Sequence, residues 1–398
     1  MRRLAVVIAG LVAATTLAAC GSPPPEDPKV DLSQLEVGNY PTQPQVLGKV
    51  HDKDQAYLVE AARLGSYVPL PSEIDRRLQY NSSHAGTVHP FTDPSASGLH
   101  NVVAASRDEF NEDANGFLFG FINSGRSNRV TNLSFELTAA VLTFSNDATA
   151  TSAADALFKR DMARSHGAEP TILQKYTTAR TYFTPQFSWL TTFFATGQFV
   201  ILSIIRDRAG EQIRVNDLDT LTDLATRSLD ITSDRLRDFV PTPPEKLLDL
   251  PADIDGMLGR AIPANINPTD VDGPPAVYDR HGALSISYQP LSDATLFDAA
   301  GVDRVAFNGS YIYRAKDAAG ARTVANQYAN PGRVYRRIDP PKGLPMATCL
   351  EYRGMVDTVI KYTCTVSVDR YAAAIRANQL RDAYQRISAQ YAVLINSR

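Results

Sequence analysis

His84, His89 and His100 fall in one polar stretch, with Asp93 among them. Three imidazoles and a carboxylate are a donor set that zinc or copper accepts. Their spacing matches no standard site, and a Gly/Ser/Pro-rich segment holds ligands poorly. The expectation is therefore exposed loop histidines and no bound metal. Two carboxylate pairs, Asp253 with Asp255 and Asp270 with Asp272, have the residue types for acid–base chemistry or for calcium. They stand in Pro/Asn-rich stretches without the calcium-loop pattern, so turn formation is the better reading. Arg126 and Arg129 of Gly125-Arg126-Ser127-Asn128-Arg129 could fork around an anion, but a solvated turn is the simpler expectation. The chain contains no H-E-x-x-H, G-x-S-x-G, S-x-x-K or P-loop. No catalytic residue, metal or cofactor is assigned.

Three cysteines remain: Cys20, Cys349 and Cys364. Cys20 ends Leu17-Ala18-Ala19-Cys20, after the positive start Met1-Arg2-Arg3 and the apolar run from Leu4 to Leu17. The run is too short for a comfortable membrane span, which takes about 20 apolar residues. The pattern resembles the lipobox of bacterial lipoproteins, with a plain secretory peptide as the alternative. The resemblance implies that residues 1–19 are a signal peptide and that Cys20 carries the lipid. The two or three acyl chains it implies hold a protein stably on the outer face of the cell membrane. Residues 20–30, with Pro23-Pro24-Pro25, read as a stiff spacer. Export implies an oxidising space, so Cys349 and Cys364 are expected to form a disulfide across neighbouring strands. Their spacing is not C-x-x-C, which argues against a redox-active pair.

The elements that would carry these residues belong to an ordinary globular chain. It has 398 residues, 44% hydrophobic, with a formal charge of −3. No basic run of the kind nucleic acid attracts is present, and export argues against that partner as well. From about Phe135 a β-α-β-β-α pattern runs twice. The first copy is a strand Phe135–Phe144, a helix Ser152–Ser165, a hairpin Ser188–Asp207 turning at Thr196-Gly197, and a helix Asp217–Leu229. The second is a strand Val305–Arg314, a helix Ala318–Tyr328, a hairpin Cys349–Arg370 and a helix Asn378–Leu394. Asp147-Ala148 and Asp317-Ala318 take matching places. Pro241-Thr242-Pro243-Pro244 separates the copies. The expected architecture is α+β, with two related domains at 31–240 and 252–398 and a linker at 241–251. Each is an antiparallel sheet with helices packed on one face.

LEVGNYPTQP (35–44), ARLGSYVPLPSEID (62–75), AGVDRVAFNGSYIYRAKDAAGA (300–321) and SAQYAVL (388–394) are distinctive but carry no chemistry. With the lipobox and the two later cysteines, they make the chain resemble uncharacterised two-domain lipoproteins of the actinobacterial cell envelope, from mycobacteria and their relatives. The resemblance implies an envelope location and an α+β fold, and supplies no active site. The leading functional expectation is a non-catalytic binding or interaction module, with an envelope protein, cell-wall component or lipid as partner. One alternative is a carrier for a lipid or other apolar envelope ligand, which requires a cavity behind Phe117–Phe121 or Phe193–Phe199. Another is a hydrolase with a site assembled from distant residues.

Overall fold

In the stretch Phe135–Phe144, both sets of alternate residues are apolar. Leu137, Ala139 and Val141 point one way, and Ala140, Leu142 and Phe144 the other. Phe199–Asp207 does the same, with Ile201 and Ile205 opposed to Val200, Leu202 and Ile204. A strand apolar on both faces has to be covered on both. The computed structural model describes residues 30–81, 89–93, 99, 102–263, 273–356 and 360–397.

Among the described residues, eight strands form an N-terminal sheet: β1 (Tyr80–Asn81), β2 (Pro90–Phe91), β3 (Phe117–Arg126), β4 (Phe135–Phe144), β5 (Glu169–Thr171), β6 (Arg180–Thr184), β7 (Trp189–Thr196) and β8 (Phe199–Asp207). Their order is β1-β3-β4-β8-β7-β6-β5, with β2 also on β3. Seven form a C-terminal sheet: β9 (Ala276–Asp279), β10 (Arg304–Phe307), β11 (Ser310–Arg314), β12 (Tyr335–Ile338), β13 (Thr348–Tyr352), β14 (Tyr362–Val368) and β15 (Tyr371–Ala377). Their order is β12-β13-β14-β15-β11-β10-β9, and pairing is antiparallel in both sheets. The helices are α1 (Lys53–Leu64), α2 (Pro71–Ile74), α3 (Arg107–Asp113), α4 (Asp147–Arg164), α5 (Arg208–Ile213), α6 (Leu218–Leu236), α7 (Arg280–Ser285), α8 (Pro290–Ala300), α9 (Ala318–Tyr328) and α10 (Leu380–Asn396).

The two domains share one path. A hairpin (β3–β4 or β10–β11) leads to a crossover helix (α4 or α9). Four strands follow, the last of which inserts beside the hairpin, and a final helix closes the unit (α6 or α10). The α+β class and the doubled build are thus present, with a unit longer than the β-α-β-β-α expected. The stretch Val305–Arg314 is two strands, because Gly309, at φ +74°, turns the chain back between them. The crossover helices start at equivalent caps, one residue away from the expected match. Asn146 Oδ1 accepts from Thr149 N, and Asp317 Oδ1 accepts from Gly320 N.

Helices cover both faces of each sheet, where one face was expected. In the N-terminal domain, α4 and α3 lie on the side of Ala140 and Leu142, while α6 and α1 lie on the side of Leu137 and Val141. In the C-terminal domain, α10 packs on Ile312, Val366 and Ile375, and α7–α9 pack on Tyr313, Ala372 and Ala374. One buried cluster joins the α6 side of the first sheet to the α9 side of the second, and α1 touches both β3 and β9. The domains therefore stack the same way round: the first turns its final helix inward, the second its crossover helix.

Polar contacts tie this junction. Glu73 receives both Nη groups of Arg235, at 2.9 and 3.0 Å, and His281 Nε2 lies 3.1 Å from a Glu73 oxygen. Burial alone would raise the Glu73 pKa, but the hydrogen bonds and charge of His281 and Arg235 outweigh it and hold the carboxyl down to about 2. Residues 31–45, expected with the N-terminal domain, pack on the other. Leu35 lies with Leu344 and Ile387, Tyr40 lies with Ala389 and Val393, and Asn396 Nδ2 donates to Thr42 O. Covered from both sides, α10 is buried all round from Arg386 to Leu394.

Candidate functional site

On the inner face of the C-terminal sheet, β11 presents Tyr311 and Tyr313, and β15 presents Ala372, Ala374 and Arg376. The register sets Ala374 opposite Tyr311 and Arg376 opposite Thr363. Alanine beside tyrosine leaves space that no side chain among the described residues fills. The result is a cavity of about 210 Å³. Ile286, Ser287 and Tyr288 wall it after α7, Asp293 and Phe297 from α8, and Tyr328 from the end of α9. Tyr288 stands at the mouth, 56% exposed. Tyr313 stacks with Tyr328 at 5.1 Å and with Tyr311 at 6.1 Å between ring centroids.

Among the described residues, two ionisable groups other than tyrosine line this cavity. Asp293 Oδ2 accepts from Ser287 Oγ (2.6 Å) and Tyr328 Oη (2.9 Å). Burial raises its pKa against those two hydrogen bonds. Arg376 lies over the Tyr288 ring at 5.2 Å and the Tyr311 ring at 5.7 Å. Burial, and then the neighbouring charge of Arg386, bring its pKa down to about 10. Arg386 is fully buried and donates to the carbonyl oxygens of Arg376 (2.7 Å) and Gly309 (2.6 Å). It therefore pins the backbone from which Arg376 projects. The N-terminal domain reaches this region too: Asn81 Nδ2 donates to Ser287 O, and buried Asn123 donates to Ser285 Oγ. A second cavity, of about 200 Å³ between α1 and β9, is lined by Leu58, Val59, Leu258 and Val277, with no ionisable side chain among the described residues that line it.

The residues that looked chemical in the sequence have other places. His89 is buried, not exposed: its Nδ1 lies 3.0 Å from Ile122 O, and desolvation lowers its pKa to about 4. His84, His100, Asp270 and Asp272 lie outside the described residues, as does Cys20. Among the described residues, no group of three or more His, Cys, Asp or Glu could hold a metal ion. Asp253 accepts from the backbone N–H groups of Leu258 and Gly259, and Asp255 pairs with Arg314, so both stabilise a turn. Arg126 donates to Thr131 Oγ1, and Arg129 lies over the Tyr80 ring. Cys349 and Cys364 face each other on β13 and β14 and are bonded. Phe119, Phe121, Phe193 and Phe199 are packed core, with Phe119 and Phe199 both against Phe239. The tyrosine cavity is elsewhere and was missed. Its signals were the Tyr311/Tyr313 alternation and the small run Ala372-Ala373-Ala374.

The fold and cavity define a two-domain α+β protein with repeated topology and a polar-edged pocket in its second half. Residues 47–252 match the N-terminal model, and residues 257–397 the C-terminal model, of a domain of unknown function, DUF7373. The chain belongs to this two-domain family. No curated protein and no solved structure matches it.

Proposed function

We propose that this protein is a non-catalytic binding module of an actinobacterial cell envelope. Residues 1–19 direct export, Cys20 carries the lipid that holds the chain to the outer face of the membrane, and the following spacer lifts the domains off the surface. The tyrosine-lined cavity in the C-terminal domain is where it takes a small ligand. That cavity carries the reading: a concave, largely apolar space with a few convergent polar groups is the ordinary form of a ligand site. No helix of the described residues is long and apolar enough to cross a membrane, which is compatible with a tether. Nucleic acid is not proposed as a partner.

Two measurements test this. Wild type and Cys20→Ser are expressed in an actinobacterial host and fractionated, with intact mass read on each. Wild type is expected in the membrane fraction with a mass consistent with loss of residues 1–19 and addition of acyl chains. Cys20→Ser is expected to keep its leader or to leave the membrane. Equal membrane retention of two unlipidated forms would end the tether reading. Native mass spectrometry of the purified protein, before and after organic extraction, then looks for a small bound adduct.

A further inference from the structure

A tether limits which surface of a molecule reaches the membrane. Nine residues, 21–29, separate Cys20 from Val30. At the polyproline rise of about 3.1 Å per residue they extend about 30 Å. Val30 and Leu32 pack on the same buried cluster as Ile338 of β12 and Leu344. Gly343 lies against Gln34 and Leu35. One turn of α10 bridges the two segments: Tyr384 donates to Asp339 O, while Arg381 and Gln385 hold Glu36. The tether therefore leaves the protein beside the end of β12.

Among the described residues, β12 is the free edge of the C-terminal sheet. Residues 333–342 hold four cations, Arg333, Arg336, Arg337 and Lys342, against one acid, Asp339, in a chain of formal charge −3. All four are exposed. Glu351 pairs with Arg336 at 2.8 Å and with Arg353 at 3.4 Å. Arg333, Arg337 and Lys342 have no ion pair among the described residues. Past the other end of β12, Arg353 N donates to Val334 O, and the chain beyond Arg353 raises Met355, 97% exposed, and Val356. Charged side chains on an edge also discourage edge-to-edge pairing. The repeat does not require cations for that, since the equivalent edge of the first domain, β5, carries Glu169 and Pro170. Unpaired cations beside raised apolar side chains suit an anionic bilayer: the apolar groups enter the headgroup layer and the cations meet phosphate.

We propose that the β12 edge, through Arg333, Arg337 and Lys342 and the raised Met355 and Val356, rests on the anionic surface of the membrane that holds the tether. The proposal rests on the tether reading and gives the tethered molecule an orientation, with the C-terminal sheet standing on its edge.

The test uses the full-length chain, expressed in an actinobacterial host, purified in detergent and reconstituted into vesicles of phosphatidylcholine with or without phosphatidylglycerol. Met355→Cys and Ala299→Cys each carry a polarity-sensitive dye. Cys349 and Cys364 are bonded to each other and Cys20 is acylated, so the new thiol takes the label. Ala299 is exposed, close ahead of β10, and β10 lies five strands from β12, about 24 Å at about 4.8 Å per strand. In vesicles with phosphatidylglycerol, headgroup-nitroxide lipid is expected to quench the label at 355 at least threefold more than the label at 299. That difference should fall by at least half without phosphatidylglycerol, at raised salt, or in Arg333→Gln/Arg337→Gln, while the protein still floats with the vesicles. Thermal melts confirm that each variant is folded. Equal quenching at the two sites in floating protein would overturn the inference and leave the tether standing. Quenching at 355 that ignored both lipid charge and the two arginines would reject the anionic surface as partner. Protein that failed to float would end the tether reading and this inference with it.

Discussion

On the crossover-helix side of its last strand, the N-terminal sheet carries Val200, Leu202 and Ile204, and on the same side of the equivalent strand the C-terminal sheet carries Ala372, Ala374 and Arg376. The backbone path is the same, but the first site is filled and the second is open. Beside them, Ala140, Leu142 and Phe144 of β4 correspond to Tyr311 and Tyr313 of β11. Side-chain volume, not topology, makes one half solid core and the other half a pocket. The C-terminal half also holds itself together differently. It has a disulfide, a buried arginine and the hydrogen-bonded Gln390, where the N-terminal half relies on packed phenylalanines and branched aliphatics.

The comparison breaks most sharply at Arg386. Truncation by Arg386→Ala should destabilise the protein by about 3–5 kcal/mol, because it removes two carbonyl partners and leaves a cavity. Arg386→Met, which keeps the volume without the charge, should cost much less. Urea unfolding followed by near-UV circular dichroism separates them, and equal midpoints for the two variants would reject this view of the C-terminal core. A second contrast lies in pH. His89 has a folded pKa of about 4 against an ordinary 6.5, so the fold prefers the neutral ring. Its contribution is whole above pH 6.5 and is lost as pH falls from 6.5 towards 4, on the order of 3 kcal/mol in all. His89→Leu should flatten the stability profile in that window, whereas an unchanged slope would place the acid sensitivity elsewhere.

The disulfide should contribute about 3 kcal/mol, given its separation of 15 residues. Reduction should speed hydrogen exchange in β12–β14 and leave β3, β4 and β8 as they were. Faster exchange throughout would mean that the halves unfold as one body. The smallest expected effect on stability is the most diagnostic for the comparison. Ala374→Leu inserts the kind of side chain the N-terminal domain uses, should change stability by less than about 1.5 kcal/mol, and should abolish any small adduct that native mass spectrometry finds on the wild type. A retained adduct would show that the ligand sits elsewhere.

Much of the build was legible because its signals are local. Gly197 marks the β7–β8 turn, Asp317 caps α9, and the two cysteines face each other across adjoining strands. The packing on both faces was also written in FELTAAVLTF and FVILSII, where both alternate sets are apolar, but alternation was read for one face only. The pocket was not legible, since it depends on Tyr311 meeting Ala374 across β11 and β15, and on α8 and α9 bringing Asp293 and Tyr328 to the same place. Nothing in a run such as YAAAIRA says what its neighbour will be. The apolar residues of 32–40 likewise gave no hint that they complete the opposite domain.

That last feature bears on how a pair of stacked units covers its outer face. Repeats stacked the same way round form an open series, and each added unit leaves the same kind of face bare for the next. Here α10 is that bare face. Leu35, Val37 and Tyr40 occupy it from the segment ahead of the N-terminal domain, and Arg381 and Gln385 clasp Glu36 there. A segment that precedes the first unit thus covers the last helix of the second. It does for α10 what a terminal cap does for a solenoid, so this helix needs no neighbouring repeat to bury it.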